Sequence, residues 1–312
     1  MKRRLLLAAP ALIAAPAFAQ PTQIRIICPF APGGAGDTLA RFAAQAITEA
    51  TGTPVLVENR TGAGGNLGGE FVARAAPDGA TLLMMAAAQA SNATLYRNLS
   101  FNVLRDFTPV CVVGVVPNLL SVHPSVPAQD MAEFLAFARA QRGGITYGSA
   151  GIGTIPHLAM VMLAQRGGFE ATHVPFRGTV PALTELLAGR IQSVLENLPP
   201  QAGHVRAGAI RPIAVSTAER LPDWPGLATI GESFAGFEAV AWQSLVAPAG
   251  TPMGFVRRIA EVVLGATSAQ AARLRGMGFV PGSIGPDVFP AFLQAEVAKW
   301  AEAVRLSGAT AE

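Results

Sequence analysis

The sequence predicts an α/β protein of two lobes, each a sheet flanked by helices. The first observation is that short β-branched runs alternate with amphipathic stretches, beginning with residues 24–30, IRIICPF, and residues 37–51, DTLARFAAQAITEAT. Such alternation is typical of parallel α/β units. The second is that the pattern continues through the second half of the chain without a short internal repeat. The third is a length of 312 residues, enough for two domains with cores of their own.

Residues 1–19 have the features of a secretory signal. Lys2, Arg3 and Arg4 precede an apolar run from Leu5 to about residue 18, which ends in the small-x-small triplet of residues 17–19. The run is shorter than the roughly 20 residues that a membrane-spanning helix requires. We therefore expect cleavage after residue 19 and export to the periplasm.

Strand-like runs also indicate where the chain passes between the lobes. They link two α/β blocks near residues 120–123 and 237–242, and no low-complexity linker is present. Two passages imply a cleft, a discontinuous first lobe of residues 20–122 plus 240–312, and a second lobe of residues 123–239. Beyond residue 250 the pattern is helical only, at about residues 253–268, 269–277 and 286–306.

Composition excludes two classes of function. The 23 basic and 20 acidic residues give a net charge of +3, and three of the basic residues belong to the signal. A neutral mature chain without a Lys/Arg cluster is not expected to bind nucleic acid. The two cysteines, Cys28 and Cys111, are too few for a cysteine metal site. They either form one disulfide in an oxidising compartment or remain buried thiols.

A glycine-rich loop at residues 29–37, PFAPGGAGD, lies between the first strand and the first helix. Its glycines allow the backbone to approach a ligand, and the free N–H groups at the following helix start favour an anion. Loops at strand C-termini are the usual ligand sites of open α/β sheets. The alternative is an ordinary turn in which Asp37 caps the helix.

A second loop of the same kind follows a strand in the other lobe, at residues 147–157, YGSAGIGTIPH. It adds the hydroxyl groups of Ser149 and Thr154, while His157 is either a ligand contact or a structural histidine. Two such loops, one in each lobe, could close on one carboxylate from opposite sides. In a third loop, residues 59–66, Arg60 is expected to have a structural role, bonding loop carbonyls. Further candidate donors to the cleft are Asn197 and the backbone at residues 177–179.

Enzyme motifs are missing from the sequence. Ser149 lacks the G-x-S-x-G context of a nucleophile elbow, since Tyr147 stands two residues before it. The glycine-rich loops break the G-x-G-x-x-G dinucleotide pattern, and the histidines have no metal-ligand spacing. We therefore predict a non-enzymatic protein without a cofactor. A secreted serine hydrolase using Ser149 with His157 or His173 is an alternative that lacks a carboxylate partner.

At these residues the chain resembles the Bug family, the extracytoplasmic solute receptors of tripartite tricarboxylate transporters. The resemblance rests on PFAPGGAGDTLAR, VLVENRTGAGGNLGGEFVARAAPDGATLL, YRNLSFNVLRDFTPV, YGSAGIGTIPHLA, HVPFRGTVPALTELLAGRIQSVLENLP and LVAPAGTP, which occur in the family's order. It implies a type II periplasmic binding fold, the Venus flytrap, that holds a ligand between its lobes.

The resemblance also implies how the ligand is held. In the family, backbone groups and ordered waters of two loops bind the ligand carboxylate, and those loops correspond to residues 31–37 and 149–154. The acidic residue matched by Asp37 meets an amine in amino-acid-binding members. The candidate ligand-binding residues are Phe30, Ala31, Gly33, Gly34, Asp37, Ser91, Ser149, Gly151, Gly153, Thr154, His157, Arg177, Gly178 and Asn197.

Substrate identity does not follow from the resemblance. The family's VPYKG reads VPFRG at residues 174–178, and its VDVMFDNL reads IQSVLENL at residues 191–198. We expect a monomer that binds a small carboxylate, whether a di- or tricarboxylate, an amino acid or an aromatic acid, and that delivers it to membrane permease subunits. The rival function is a periplasmic sensor that presents the same cleft to a signalling protein.

Overall fold

The computed structural model describes residues 21–311, so the predicted signal lies outside the described residues. Short β-branched runs form the strands, which are β1 (Ile24–Cys28), β2 (Val55–Asn59), β3 (Thr81–Ala86), β4 (Phe107–Val116), β5 (Asn118–Val122), β6 (Ile145–Ser149), β7 (Ala171–Pro175), β8 (Ser193–Asn197), β9 (Arg211–Val215), β10 (Ala228–Thr229), β11 (Ala241–Pro248) and β12 (Val280–Pro281). Amphipathic segments form the helices, which are α1 (Ala35–Thr51), α2 (Asn66–Ala73), α3 (Ala87–Leu95), α4 (Met131–Ala140), α5 (Ile155–Gly167), α6 (Thr179–Leu187), α7 (Leu198–Arg206), α8 (Ile230–Ser233), α9 (Met253–Ala269), α10 (Ala271–Gly276) and α11 (Phe289–Ser307).

The strands form two sheets, which confirms the predicted two-lobed α/β class. The first sheet has the order β12-β4-β11-β3-β1-β2 and the second has the order β10-β9-β5-β8-β6-β7. In each sheet a strand near the centre runs antiparallel to both of its neighbours, β11 in the first and β5 in the second. Each of these is the strand that enters its sheet directly after the chain has crossed from the other one. The carboxyl ends of the parallel strands of both sheets therefore face the crossings.

The first crossing lies earlier than the sequence suggested. Strand β5 pairs with β8 and β9, so the chain leaves the first sheet at Pro117 rather than at residue 122. The largely apolar stretch from residue 107 to residue 122 conceals this change of sheet. The second crossing falls between β10 and β11.

Apolar residues at helical spacing explain how α1 covers the first sheet. Leu39, Ala43 and Ile47 are fully buried on the face that packs, together with α9, against the central strands. Cys28 and Cys111 are buried free thiols in this core. Two strands separate β1 from β4, a distance of about 14 Å at the usual strand spacing, which excludes a disulfide.

The C-terminal segment is not wholly helical, because the two-residue strand β12 pairs with β4 between α10 and α11. Helix α11 contacts α3 of the first lobe and α5 of the second. Its buried Glu296 accepts hydrogen bonds from the indole N–H groups of Trp242, at 2.7 Å, and Trp300, at 2.8 Å. Lys299 forms an ion pair with the same carboxylate. The crossing strand β11 is thereby fixed to the last helix.

Candidate functional site

A cavity of about 570 Å³ lies between the two lobes at the start of α1. The first lobe contributes residues of the first glycine-rich loop, and the second lobe contributes the end of β8 and the beginning of α7. The lining residues are Gly33, Gly34, Ala35, Thr38, Val116, Asn197, Pro199, Pro200, Met277 and Phe279.

The N-terminus of α1 is open toward this cavity. Gly34 is the N-cap residue and has no side chain to accept the helix's first N–H groups. Gly33 adopts a left-handed φ of 80°, which bends the loop away from the helix axis. The first turn of α1 therefore offers backbone donors and the positive end of the helix dipole to an anion.

Asp37 lies directly below this loop and holds it in shape. Its carboxylate accepts hydrogen bonds from the Gly33 N–H at 3.0 Å, from Arg41 at 2.9 and 3.0 Å, and from Asn59 Nδ2 at 2.9 Å. The Arg41 guanidinium is the main reason that the pKa of Asp37 falls to about 2, and burial opposes the shift. All strong acceptor positions of Asp37 are occupied, so the side chain positions the loop. Asn59 also donates to the carbonyl of Phe30, at 2.9 Å.

The loop in the second lobe uses its N–H groups internally. The Ala150 N–H donates to Glu196 Oε1 at 2.6 Å, the Gly151 N–H to Ser149 Oγ at 3.2 Å, and the Gly153 N–H to His157 Nδ1 at 3.0 Å. Thr154 caps α5 by accepting from the His157 N–H. The two glycine-rich loops are thus not equivalent anion cradles, since three N–H groups of the second loop donate to side chains of the same lobe.

Glu196 is the residue that ties the second-lobe loops together. It is fully buried, and its Oε2 accepts from Thr179 Oγ1 at 2.8 Å and from the Asn197 N–H at 3.2 Å. Burial raises the pKa of Glu196, while the donors around it act in the opposite direction. One carboxylate therefore joins the end of β6, the start of α6 and the end of β8.

Three aromatic rings stack beneath the second loop. The His157 and His173 centroids are 4.0 Å apart, and Tyr147 lies 4.9 Å from His173. Burial lowers the pKa of both histidines to about 4. Ser149 Oγ lies 2.7 Å from His173 Nε2, but Ser149 is 0% exposed and also donates to the Gly151 carbonyl. This serine supports the loop and does not face the cavity, which argues against the hydrolase alternative.

The remaining predicted residues are dispersed around the cleft. Ser91 is buried in α3 with its hydroxyl donating to the Ala88 carbonyl at 2.9 Å. Ala31 and Arg177 are exposed, whereas the Gly178 N–H is 3.2 Å from the Ala150 carbonyl. Asn197 lines the cavity, and its Oδ1 is buried without a hydrogen-bond partner among residues 21–311.

Sequence reasoning missed Glu196, Asn59 and Gln243 as residues of this region. Gln243 is buried beneath α1, close to Gly36. A signal for it existed, because it is the one amide side chain in the mostly apolar run AWQSLVAP. Glu196 gave no such signal, since its partners lie in loops 17 and 46 residues away.

Between residues 21 and 311, no group of three or more His, Cys, Asp or Glu side chains is arranged to hold a metal ion. No helix in that part of the chain combines the length and apolar character needed to cross a membrane.

Comparisons with known proteins agree on one family. The family model described as "Tripartite tricarboxylate transporter family receptor" matches residues 39–308. The protein BugT of Bordetella pertussis is 32% identical over 293 residues, which cover 92% of this chain and 89% of BugT.

Two solved structures from Rhodopseudomonas palustris are similar to this chain over most of its length. Rpa4515 with adipate is 35% identical with a TM-score of 0.78, covering 92% of this chain and 98% of that one. MatC with bound malate is 30% identical with a TM-score of 0.74, covering 90% and 98% respectively.

Proposed function

Because the chain belongs to the family of tripartite tricarboxylate transporter receptors, and is thus a solute-binding protein and not an enzyme, we propose that it captures a small carboxylate between its lobes and delivers it to membrane permease subunits. Adipate and malate in the two similar structures are both small carboxylates, which supports this ligand class. The predicted signal at residues 1–19 supports a periplasmic location, where such a receptor would meet its permease.

The observation that carries the proposal is the open N-terminus of α1 at the interlobe cavity. A carboxylate placed there would accept backbone N–H groups and interact with the helix dipole. Its other end would meet the second lobe at Asn197 and Pro199. Contact with both lobes would favour the closed arrangement, as in hinge-type receptors.

The second loop is proposed to contribute to the site in a different way from the first loop. Its engaged N–H groups support a role as a wall of the cleft, with Ile152 exposed at its tip. Arg177 and Gly178 would stand beside it. In this arrangement the first lobe supplies the charge complementarity and the second lobe supplies the surface that closes over the ligand.

The test is ligand-induced stabilisation of the mature protein, stripped of ligand by unfolding and refolding. Binding to the native state raises the melting temperature in a saturable way. We expect saturable shifts with mono-, di- or tricarboxylates and none with the matching neutral amides. The absence of a shift with every carboxylate would overturn the proposal.

A variant at Gly34 locates the binding site. Gly34→Asp places a carboxylate at the N-cap of α1, where the φ of −75° accepts any residue and an added Cβ meets only ordinary contact. We expect the fold to be retained and carboxylate affinity to fall at least about tenfold, because the new side chain competes for the same N–H groups. Gly254→Asp, in the first turn of α9 with open space around its Cβ, is the matched control. Unchanged affinity in Gly34→Asp would contradict the α1 site.

A further inference from the structure

The two lobes meet on both faces of the first sheet, and the two contacts differ in kind. Alternate residues of β3 point to opposite faces of that sheet. Met85 belongs to the apolar cluster that contains α11, and Met84 belongs to the cluster that contains Leu274 of α10. Helices α10 and α11 therefore cover opposite faces, and each face reaches the second lobe at its own place.

The contact on the α11 face is broad and apolar. Helix α11 packs against α5 of the second lobe, and a single buried cluster continues from one lobe into the other. Its members include Leu95 of α3, Leu158 of α5 and Trp300 of α11, none of them more than 5% exposed. Separating these surfaces would expose apolar area to water, so this face is suited to stay in contact and to act as a pivot.

The contact on the α10 face is a single close approach. Gly278 follows α10 with a left-handed φ of 86°, and the turn that it forms reaches Pro199 at the start of α7 in the second lobe. A Cβ added to Gly278 would lie 2.5 Å from Pro199 Cγ, closer than real Cβ atoms come to a neighbour. Only a residue without a side chain lets the lobes approach this far.

Cavities border the Gly278–Pro199 contact. One cavity of about 570 Å³ is lined by both Gly278 and Pro199, and a smaller one of about 370 Å³ is lined by Gly278 and Trp224. The proposed carboxylate cavity is lined by Pro199, Met277 and Phe279. A narrow contact between cavities exposes little apolar surface when it breaks. The α10 face is therefore the one on which the lobes part at the smaller cost in free energy.

We infer that the lobes open on the α10 face, with the α11 contact as the pivot, and that the missing side chain of Gly278 sets how far they close. The carboxylate cavity lies beside this contact, so closure would bring Asn197 and Pro199 toward a ligand held at the start of α1. The inference rests on the proposed function for the ligand that drives closure. Gly278 is then a positioning residue, since it acts on the ligand through the separation of the lobes.

Gly278→Ala tests the role of the missing side chain. Its Cβ would hold the lobes apart at Pro199, so we expect the affinity for malate or adipate, measured by calorimetry on stripped protein, to fall at least about tenfold. Gly52→Ala is the matched control, because Gly52 also ends a helix of the first lobe, with a left-handed φ of 71°, and a Cβ there meets nothing within 4 Å. It carries similar backbone strain without the clash and should bind like the wild type. Unchanged affinity in Gly278→Ala would overturn the inference.

A change in the opposing lobe separates the clash from backbone strain. Pro199→Gly deletes the Cβ and Cγ atoms that lie 2.9 and 2.5 Å from the added Cβ. In the Pro199→Gly background, Gly278→Ala should therefore change the affinity by less than about twofold. A local role of Gly278 in ending α10 is not relieved by a change in the other lobe, so a tenfold loss that persists in this background would overturn the inference.

A disulfide across the contact reports on opening without any ligand. In the double variant Gly278→Cys with Pro199→Cys, the two Cβ positions lie 2.9 Å apart, so a displacement of less than about 1 Å brings them to the spacing of a disulfide. Cys28 and Cys111 are fully buried and do not compete. We expect mild oxidation to form the disulfide, and the oxidised protein to have a smaller radius of gyration in X-ray scattering than the reduced protein, whose lobes are free to part.

The outcomes separate this inference from the function on which it rests. Failure to form the disulfide, or equal radii for the oxidised and reduced protein, would overturn opening on the α10 face even if the wild type binds carboxylates. If the wild type binds no carboxylate, the proposed function fails, and the disulfide and the radii alone decide whether the lobes open at Gly278.

Discussion

The side-chain amide of Asn118 donates a 2.8 Å hydrogen bond to the carbonyl oxygen of Ala239, joining the two segments in which the chain crosses between the lobes. The hydroxyl group of Ser216 donates to the same carbonyl at 2.7 Å and accepts from the Asn118 N–H at 3.1 Å. All of these groups are buried. The two crossings are therefore held together by side chains as well as by the chain's connectivity.

Asn118→Ala should lower the free energy of unfolding by about 1–2 kcal/mol, because it removes a buried hydrogen bond and leaves space at a fully buried position. Ser216 still satisfies the Ala239 carbonyl, so the protein should fold. Urea denaturation measures the effect. Asn98→Ala, at an exposed position, is the control, and an equal loss in both variants would contradict a specific role of Asn118.

Asp37→Asn should destabilise the protein at neutral pH by about 1–2 kcal/mol, allowing for the exposure of Arg41. The folded-state pKa of Asp37 is lowered, from 3.8 to about 2, by Arg41 above all. Its contribution is therefore present above pH 4 and is lost as the pH falls toward 2. Urea denaturation of both proteins should show their difference shrinking across that window, and a difference that stays constant down to pH 2 would refute the assignment.

The stacked histidines should make the protein sensitive to mild acid. Burial lowers the pKa of His157 and of His173 from 6.5 to about 4, so the unfolded chain binds more protons than the native one between these values. The free energy of unfolding should fall as the pH drops from 6.5 to 4, by on the order of 2–3 kcal/mol for each histidine. His157→Gln should remove about half of that slope in denaturation curves taken across the range. If the variant kept the wild-type slope of unfolding free energy against pH, the role assigned to His157 would be disproved.

Glu196 should change the pH dependence of stability in the opposite direction from the two histidines. Burial raises the pKa of its carboxyl group above the usual 4.5, so the native state holds a proton that the unfolded chain has released. The Glu196 contribution to stability should therefore decline as the pH rises above 4.5. Glu196→Gln lacks this decline, and the stability difference between wild type and variant should narrow with rising pH. A widening difference in calorimetric unfolding would show that the three hydrogen bonds outweigh desolvation.

Alternation of strands and helices was enough to predict the fold class and the position of both glycine-rich loops. Those features depend on local sequence, because a period of two or 3.6 residues and a glycine cluster are visible within a short window. The change of sheet at Pro117 was not predictable in this way. A largely apolar stretch shows that a strand forms, but its partner strands lie elsewhere in the chain.

The sequence located both glycine-rich loops but did not reveal how their hydrogen bonding differs. The two loops look alike in sequence, yet Glu196 and His157 consume donors of the second loop, while those of the first turn of α1 stay open. The amino-acid pattern of a loop shows which donors exist. Which donors remain free depends on side chains that folding brings from other elements, as with Glu196 from β8.

The two hydrogen bonds to Glu296 also mean that the protein's tryptophans lie in two different kinds of surroundings. Trp242 and Trp300 are fully buried and fixed to one carboxylate, whereas Trp224, the third tryptophan, is half-buried in a cavity lined from both lobes. A change in emission that accompanies movement of the lobes would come mainly from Trp224. Trp224 is thus the tryptophan whose surroundings come from both lobes, whereas Trp242 and Trp300 are held in the interior.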